Sequence, residues 1–340
     1  MLKAVLFKSK KRFSEFEKKL SEYGVEYSVL DFYKNKWLDF DFSDIDFVIY
    51  YPSYKYDSNY PLTLYEAHDN LIHIKARFPS IKMFPDPNII CYYNDKYKQH
   101  MLLKSYNYPI PLTFPLFSKR SVDLADEVLG YPMVLKNRYG AGGGNVYKVN
   151  SKKELMKYYN ISTFNFWNIY SMPFLLGIPF KRIFYYNLIR AKQMSYPFLS
   201  PPLLAQEFIE HDRDLKTVVG NYKVVEAHWR IKAHEEMWKV NIDGGGIGEW
   251  SKVPQEVIDL SERLARQLQT SWINLDLISK NGEYLISEFS PVWHHYAYKE
   301  KPSFVYKDDY NIDMPLEISL DLERIIVESL ITAVGAERNN

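Results

Sequence analysis

Residues 133–149 read MVLKNRYGAGGGNVYKV: an apolar run closed by a lysine, four glycines within 140–144, then an alternating segment. Flanks of that kind form strands, so the glycines join strand to strand and not strand to helix. Glycine is scarce elsewhere, because the chain holds 14 and a second cluster, DGGGIGEW from Asp243, takes four more. Backbone without Cβ atoms can turn its N–H groups onto an anion, so phosphate binding is the first chemistry to consider, beside a plain hairpin turn. Three common phosphate loops do not fit. A Walker A loop carries Lys and Ser or Thr directly after its last glycine, where this chain has Asn145 and Val146. A dinucleotide fingerprint opens a helix, whereas NVYKV alternates as a strand does. A protein kinase places its lysine after the loop and needs H-R-D and D-F-G sequences, for which HDRD at His211 does not substitute.

With 340 residues, 46% of them hydrophobic and 25% charged, the chain can bury a full core in two or three packed units. A net charge of +1 gives no bulk electrostatic case for nucleic acid. The single cysteine, Cys91, rules out an internal disulfide and fits a reducing compartment. The apolar start gives way at once to KSKKRF, too short for a signal peptide, and no apolar run approaches the roughly 18 residues of a membrane span. A cytoplasmic protein is expected.

The patterning of residues 1–92 is strand, helix, strand, strand. LKAVLF and VEYSVL flank KRFSEFEKKLSEYG, which sets Phe13, Phe16 and Leu20 on one side and stops at Gly24, and DFVIYY follows. That order predicts a small parallel α/β domain. It contains no G-x-G-x-x-G. Residues 93–340 form the rest, opening with a helix and a Pro-punctuated turn up to Thr113. PQEVIDLSERLARQLQ places Val257, Leu260, Leu264 and Leu268 on one stripe, so it is a helix packed on a sheet. WINLDLIS and EYLISEFS form a hairpin across KNG, and PLEISLDLERIIVESLITAV closes the pattern as a helix.

One segment differs from the rest. Residues 155–206 contain no acid, yet include Lys157, Lys181, Arg182, Arg190 and Lys192, with aromatics throughout. Either these aromatics fill a core of their own, or the surplus cations and rings meet an anionic polymer, a peptide or a membrane surface.

Further residues line up in order: NDK at Asn94, LLAQEFI at Leu203, DRDLKTVVGNYKVVEAHWR at Asp212, WKVNIDGGG at Trp238, NLDLIS at Asn274 and ISEFS at Ile286. Together with MVLK and the first glycine cluster, this ordered set resembles the ATP-grasp ligases, closest to the branch of glutathione synthetase and the ribosomal-protein glutamate ligases. The resemblance implies an α+β ATP-grasp fold behind an N-terminal parallel α/β domain. Residues 112–206 would be its lid subdomain and 207–340 its nucleotide and metal subdomain. By matching position, Lys96 and Lys136 look like the lysines that contact ATP phosphates, and Gly142, Gly143 and Gly144 like the loop that closes over them. Gln206, Glu207 and Ile209 would border the adenine, largely through backbone. Asp214 takes the place of the usual acid, Arg230 that of the cation facing the transferred phosphate, and Asn241 stands beside the second glycine cluster. Asp276 and Glu288 look like the carboxylates for Mg2+, or Mn2+ in its place, with Ser290 where the family has Asn. Lys216 likewise stands where the family has Arg, keeping the charge without the planar fork. The implied reaction joins a small-molecule or peptide carboxylate to an amine through an acyl phosphate. A hydroxyl-directed phosphotransferase and a non-catalytic nucleotide-binding or partner-binding module remain as alternatives, and oligomeric state is not legible.

The residue types suit that chemistry without the family. Moving a phosphoryl group from ATP, with about four negative charges, onto a carboxylate requires cations at its oxygens. Mg2+ takes hard oxygen ligands, not His or Cys; accordingly His294 and His295, with no third ligand at zinc spacing, are not expected to hold a metal. Strand alternation adds a condition: a two-residue Asn281-Gly282 turn pairs Ser287 with Asp276 and turns Glu288 away. A shared metal therefore predicts a three-residue loop with Gly282 left-handed, or a bulge.

Overall fold

The computed structural model describes residues 1–9, 12–52, 64–139, 146–163, 203–249, 251–292 and 321–338. The first glycine cluster and most of the aromatic basic segment, residues 164–202, lie outside the described residues. Strands β1 (Lys3–Phe7), β2 (Glu26–Leu30), β3 (Phe47–Ile49) and β4 (Lys82–Phe84) form a parallel sheet in the order β2-β1-β3-β4. Helix α1 (Phe13–Glu22) follows β1, α2 (Leu64–Arg77) follows β3 and the short α3 (Pro87–Ile90) follows β4. Because successive strand residues face opposite sides, β1 feeds two cores. Ala4 and Leu6 join Phe16 and Leu20 of α1, while Val5 and Phe7 join Leu71 and Ile74 of α2. Gly24, at φ 62°, carries the chain out of α1 in a left-handed conformation that a Cβ would strain.

Helix α4 (Lys96–Ser105) starts at Asp95, whose side chain accepts the Lys98 N–H. It opens a second compact unit, residues 94–211 with 279–286. There β5 (Thr113–Leu116), β6 (Met133–Asn137), β7 (Val146–Val149) and β8 (Leu203–Glu207) make an antiparallel sheet in the order β5-β8-β6-β7. Its Leu135, Ala205, Met133 and Val149 pack with Val122 of α5 (Lys119–Leu129) and Leu155 of α6 (Lys152–Thr163).

The first unit takes the remaining residues, 1–93, 212–278 and 287–340. Strands β9 (Arg213–Gly220), β10 (Lys223–Ile231), β11 (Ile247–Glu249), β12 (Trp272–Lys280) and β13 (Glu283–Ser290) give the order β11-β10-β9-β12-β13. Helix α7 (Gln255–Gln267) buries Val257, Leu260 and Leu264 and packs on β9 and β10, where the Ser261 and Thr217 hydroxyls share a 2.8 Å hydrogen bond. Helix α8 (Leu322–Arg338) begins after Asp321, whose carboxylate accepts the Arg324 N–H. The sequence pattern starts that helix at Pro315, but residues 315–320 lie outside the described residues. Val327 and Leu330 of α8 share one core with Phe16 and Leu20 of the N-terminal segment and with Val218 and Trp272 of the five-stranded sheet. Among the described residues, no helix is long and apolar enough to cross a membrane.

Candidate active site

Register decides which side chains meet on the five-stranded sheet. Arg230 lies opposite Asp214, His228 opposite Lys216 and Glu226 opposite Val218, while Asp276 and Asn274 of β12 lie opposite Lys216 and Val218. Directly opposed residues share a face, so all of these point away from α7. The result is a charged ladder. Arg230 donates through Nε and Nη2 to both Asp214 oxygens at 2.6 and 2.8 Å, and through Nη1 to Asp276 Oδ2 at 3.3 Å. Lys216 Nζ donates to Asp276 Oδ1 at 2.8 Å. Burial pushes the Asp276 carboxyl up, but Arg230 and Lys216 outweigh it and hold it well below the usual carboxylate range. Deeper on the same face, fully buried His228 Nδ1 meets Glu226 Oε1 at 2.6 Å, and Glu226 Oε2 has no hydrogen-bond partner among the described residues.

In the second unit the same rule selects another set. Lys136 lies opposite Leu204 and Val146, and Val134 lies opposite Gln206 and Lys148, so Lys136, Lys148 and Gln206 share the face turned away from α5 and α6. Lys96 begins α4, and its N–H donates to the Arg138 carbonyl at 2.9 Å, just past the end of β6. That backbone bond joins the start of α4 to the residue two past Lys136. Gln206 Nε2 donates to Thr113 Oγ1 at 2.9 Å, and both side chains are buried. The Glu207 carboxylate accepts the Leu112 N–H at 2.9 Å and a bond from Lys280. The side chains of Gln206 and Glu207 are therefore engaged by the protein, and the Glu207 N–H donates to the Leu112 carbonyl at 2.9 Å. The Ile209 carbonyl meets His211 Nδ1 at 2.7 Å.

Three solved structures share the fold. D-alanine–D-alanine ligase from Bacillus anthracis matches with a TM-score of 0.59 and 16% identity, over 100% of this chain and 99% of that one. The ATP-grasp ligase PsnB, solved with a minimal precursor, Mg and ADP, matches with a TM-score of 0.57 and 13% identity over 98% of each chain. N5-carboxyaminoimidazole ribonucleotide synthetase from Thermotoga maritima gives 0.55 and 14%, over 88% of this chain and 70% of that one. The fold is ATP-grasp. No protein-family model matches the sequence, and no curated protein does. At such identities the ATP-grasp likeness rests on backbone alone.

The ATP-grasp frame leaves the remaining expected residues in different states. Gly142, Gly143 and Gly144 lie outside the described residues. The second glycine cluster has a reason within its own turn. A Cβ at Gly246 would sit 1.9 Å from the Val240 carbonyl oxygen and one at Gly244 2.8 Å from Asn241 Oδ1, while Gly245 has φ 97°. Asn241 precedes that turn and accepts the Gly244 and Gly246 N–H groups through its carbonyl. The hairpin differs from the expected three-residue loop. Strand β12 runs through Lys280 and β13 begins at Glu283, so only Asn281 and Gly282 connect them, at φ 53° and 88°. Two left-handed residues match the twist of the flanking strands, which is why Asn-Gly suffices. Gly282 is left-handed, as the pattern requires. A turn of this kind sets Ser287 across from Asp276, so bringing Glu288 to the Asp276 face takes a bulge. The Ser290 hydroxyl donates to the Val292 carbonyl and accepts its N–H at 3.2 Å, while the Ser290 carbonyl accepts from Asn274 Nδ2 at 2.9 Å.

Sequence reasoning passed over Lys148, Asp95, Arg138, Glu226 and His228. For three of them the signal was present: NVYKV sets Val146 and Lys148 on one face, and EAHWR spaces Glu226, His228 and Arg230 by two. Among the described residues, no group of three or more His, Cys, Asp or Glu stands together as a ready metal site. Asp276, ionised at neutral pH, is a hard oxygen donor of the kind Mg2+ takes.

Proposed function

We propose that this protein is an ATP-dependent carboxylate–amine ligase. The observation that carries the reading is the Asp276 carboxylate held between Arg230 and Lys216 on one face of an ATP-grasp sheet. Solved proteins of the same fold include one bound to ATP and one bound to Mg and ADP, which supports those ligands for this chain. A substrate carboxylate oxygen attacks the γ-phosphorus, the bond to the bridging oxygen breaks, and ADP leaves. The amine then attacks the carbonyl carbon of the acyl phosphate, the C–O bond to phosphate breaks, and the amide, inorganic phosphate and a proton are released.

In this reading Lys96 and Lys136 bind the polyphosphate, while Gln206, Glu207 and Ile209 border the adenine through backbone. Asp214 holds both arms of the Arg230 guanidinium, so the cation keeps its orientation as charge develops on the transferred group. Asp276, with Glu288 brought to its face by a bulge in β13 and Ser290 beside it, would hold Mg2+, which supplies Lewis-acid withdrawal of charge from the phosphate oxygens. With Asp276 drawn to the metal, Lys216 and the Nη1 arm of Arg230 would face the phosphoryl group. No nucleophilic side chain is needed, because holding the reactants in line replaces an improbable encounter.

Thermal unfolding with Mg-ATP tests the site. At about 100 times its dissociation constant, nucleotide should stabilise wild type by about 2.7 kcal/mol, and Glu288→Gln should lose the magnesium-dependent part. No rise in wild type at millimolar nucleotide would sink the reading. Hydroxylamine then separates acyl transfer from transfer to a hydroxyl, since only an acyl phosphate yields a hydroxamate.

A further inference from the structure

Asp95 and Arg138 lie 43 residues apart in sequence, yet they form a two-pronged pair, Nε to Oδ1 at 2.9 Å and Nη2 to Oδ2 at 2.7 Å. Asp95 is 3% exposed, so the pair is held out of water. The same Asp95 Oδ1 accepts the Lys98 N–H at 3.0 Å and thereby caps α4. The Arg138 guanidinium lies 5.1 Å from the Tyr97 ring and 5.0 Å from the Tyr139 ring, and an isolated β-bridge joins Asp95 to Tyr139. Lys96 directly follows Asp95, and Lys136 lies two residues before Arg138.

We infer that the Asp95–Arg138 pair is a positioning clamp that sets the spacing of Lys96 and Lys136 for a nucleotide polyphosphate. The inference rests on the nucleotide reading above. A bidentate fork fixes direction as well as distance, and here it fixes the root of β6 against the cap of α4. Each lysine is attached within two residues of one end of the fork. Neither clamp residue touches the phosphates; both act through the lysines.

The test is the affinity for Mg-ATP and for AMP, measured by calorimetry on the full chain, for wild type, Arg138→Gln, Arg138→Lys and Asp95→Asn. Asn preserves the helix cap while removing the ion pair, so it guards against a variant that merely misfolds. The expected result is at least a tenfold weaker Mg-ATP affinity in all three variants, with AMP within twofold of wild type, because AMP leaves the polyphosphate positions empty. Lys at 138 restores the charge but not the fork and should not rescue. Equal weakening of both nucleotides, or no weakening, overturns the clamp and leaves the nucleotide site standing. Wild type that binds neither nucleotide removes the reading on which the clamp depends, and the clamp with it.

Discussion

The two antiparallel sheets each lay one face on helices, but their other faces are built differently. On the five-stranded sheet, cross-strand rows mix signs: Asp214 lies opposite Arg230, and Lys216 stands between His228 and Asp276. On the four-stranded sheet the rows set cations against aliphatics, with Lys136 opposite Leu204 and Val146, and Lys148 opposite Val134. A row of mixed sign orients its own charges before any ligand arrives, which suits groups that must meet charge developing during a reaction. The same strand geometry therefore sets opposite charges across from one another in one place and cations across from aliphatics in the other.

The largest expected effect breaks that contrast at Arg230. Arg230→Met leaves Asp214 buried without its bidentate partner, and unfolding by urea should show a loss of about 3–5 kcal/mol, together with loss of turnover. Lys136→Met should cost under about 1 kcal/mol of stability while weakening nucleotide binding. If the two variants lose equal stability, the faces do not differ as argued. Acid titration sharpens the point. Asp276 is depressed in the folded state, so it contributes stability above its unfolded value near pH 4, and that contribution is lost as pH falls through the lower folded value. Arg230→Met removes the stronger of its two opposing cations, so the variant's stability should fall less steeply below about pH 4 than wild type's.

The next effect separates structure from chemistry on the ladder. His228 and Glu226 are fully buried, and one Glu226 oxygen has no partner among the described residues. His228→Phe strands the carboxylate and should cost about 3 kcal/mol, whereas Glu226→Leu with His228→Phe should recover most of that, since an apolar replacement of a buried pair is close to neutral. A double variant that is stable and fully active would make the pair a packing feature; a stable but inactive one would place it among the groups the reaction needs.

These rows explain which parts of the molecule were legible in sequence. Helix α7 and the strand–helix order of residues 1–92 were legible, because burial repeats at fixed spacing and each element declares its own period. Arg230 and Asp276 were legible as members of an ordered motif set. Their mutual bond was not, since it depends on β9 lying between β10 and β12. The Asp95–Arg138 pair was invisible for the same reason: no local pattern links residues 43 apart. The hairpin loop was misjudged because a metal-sharing argument was allowed to overrule the Asn-Gly turn signal, and the local turn chemistry prevailed.

The smallest effect belongs to Lys148, whose ammonium lies 4.0 Å from the centroid of the Phe208 ring. A partly exposed cation–π contact is worth about 0.5–1 kcal/mol, so Lys148→Met should lower stability by that amount and Phe208→Leu should abolish the difference. ATP affinity should stay within twofold, because the ammonium is drawn to the Phe208 ring and away from the Lys136 end of the face. A tenfold loss of ATP affinity would instead count Lys148 with Lys96 and Lys136. The four-stranded sheet would then be a three-cation anion receptor, and its contrast with the self-paired ladder would be greater than drawn.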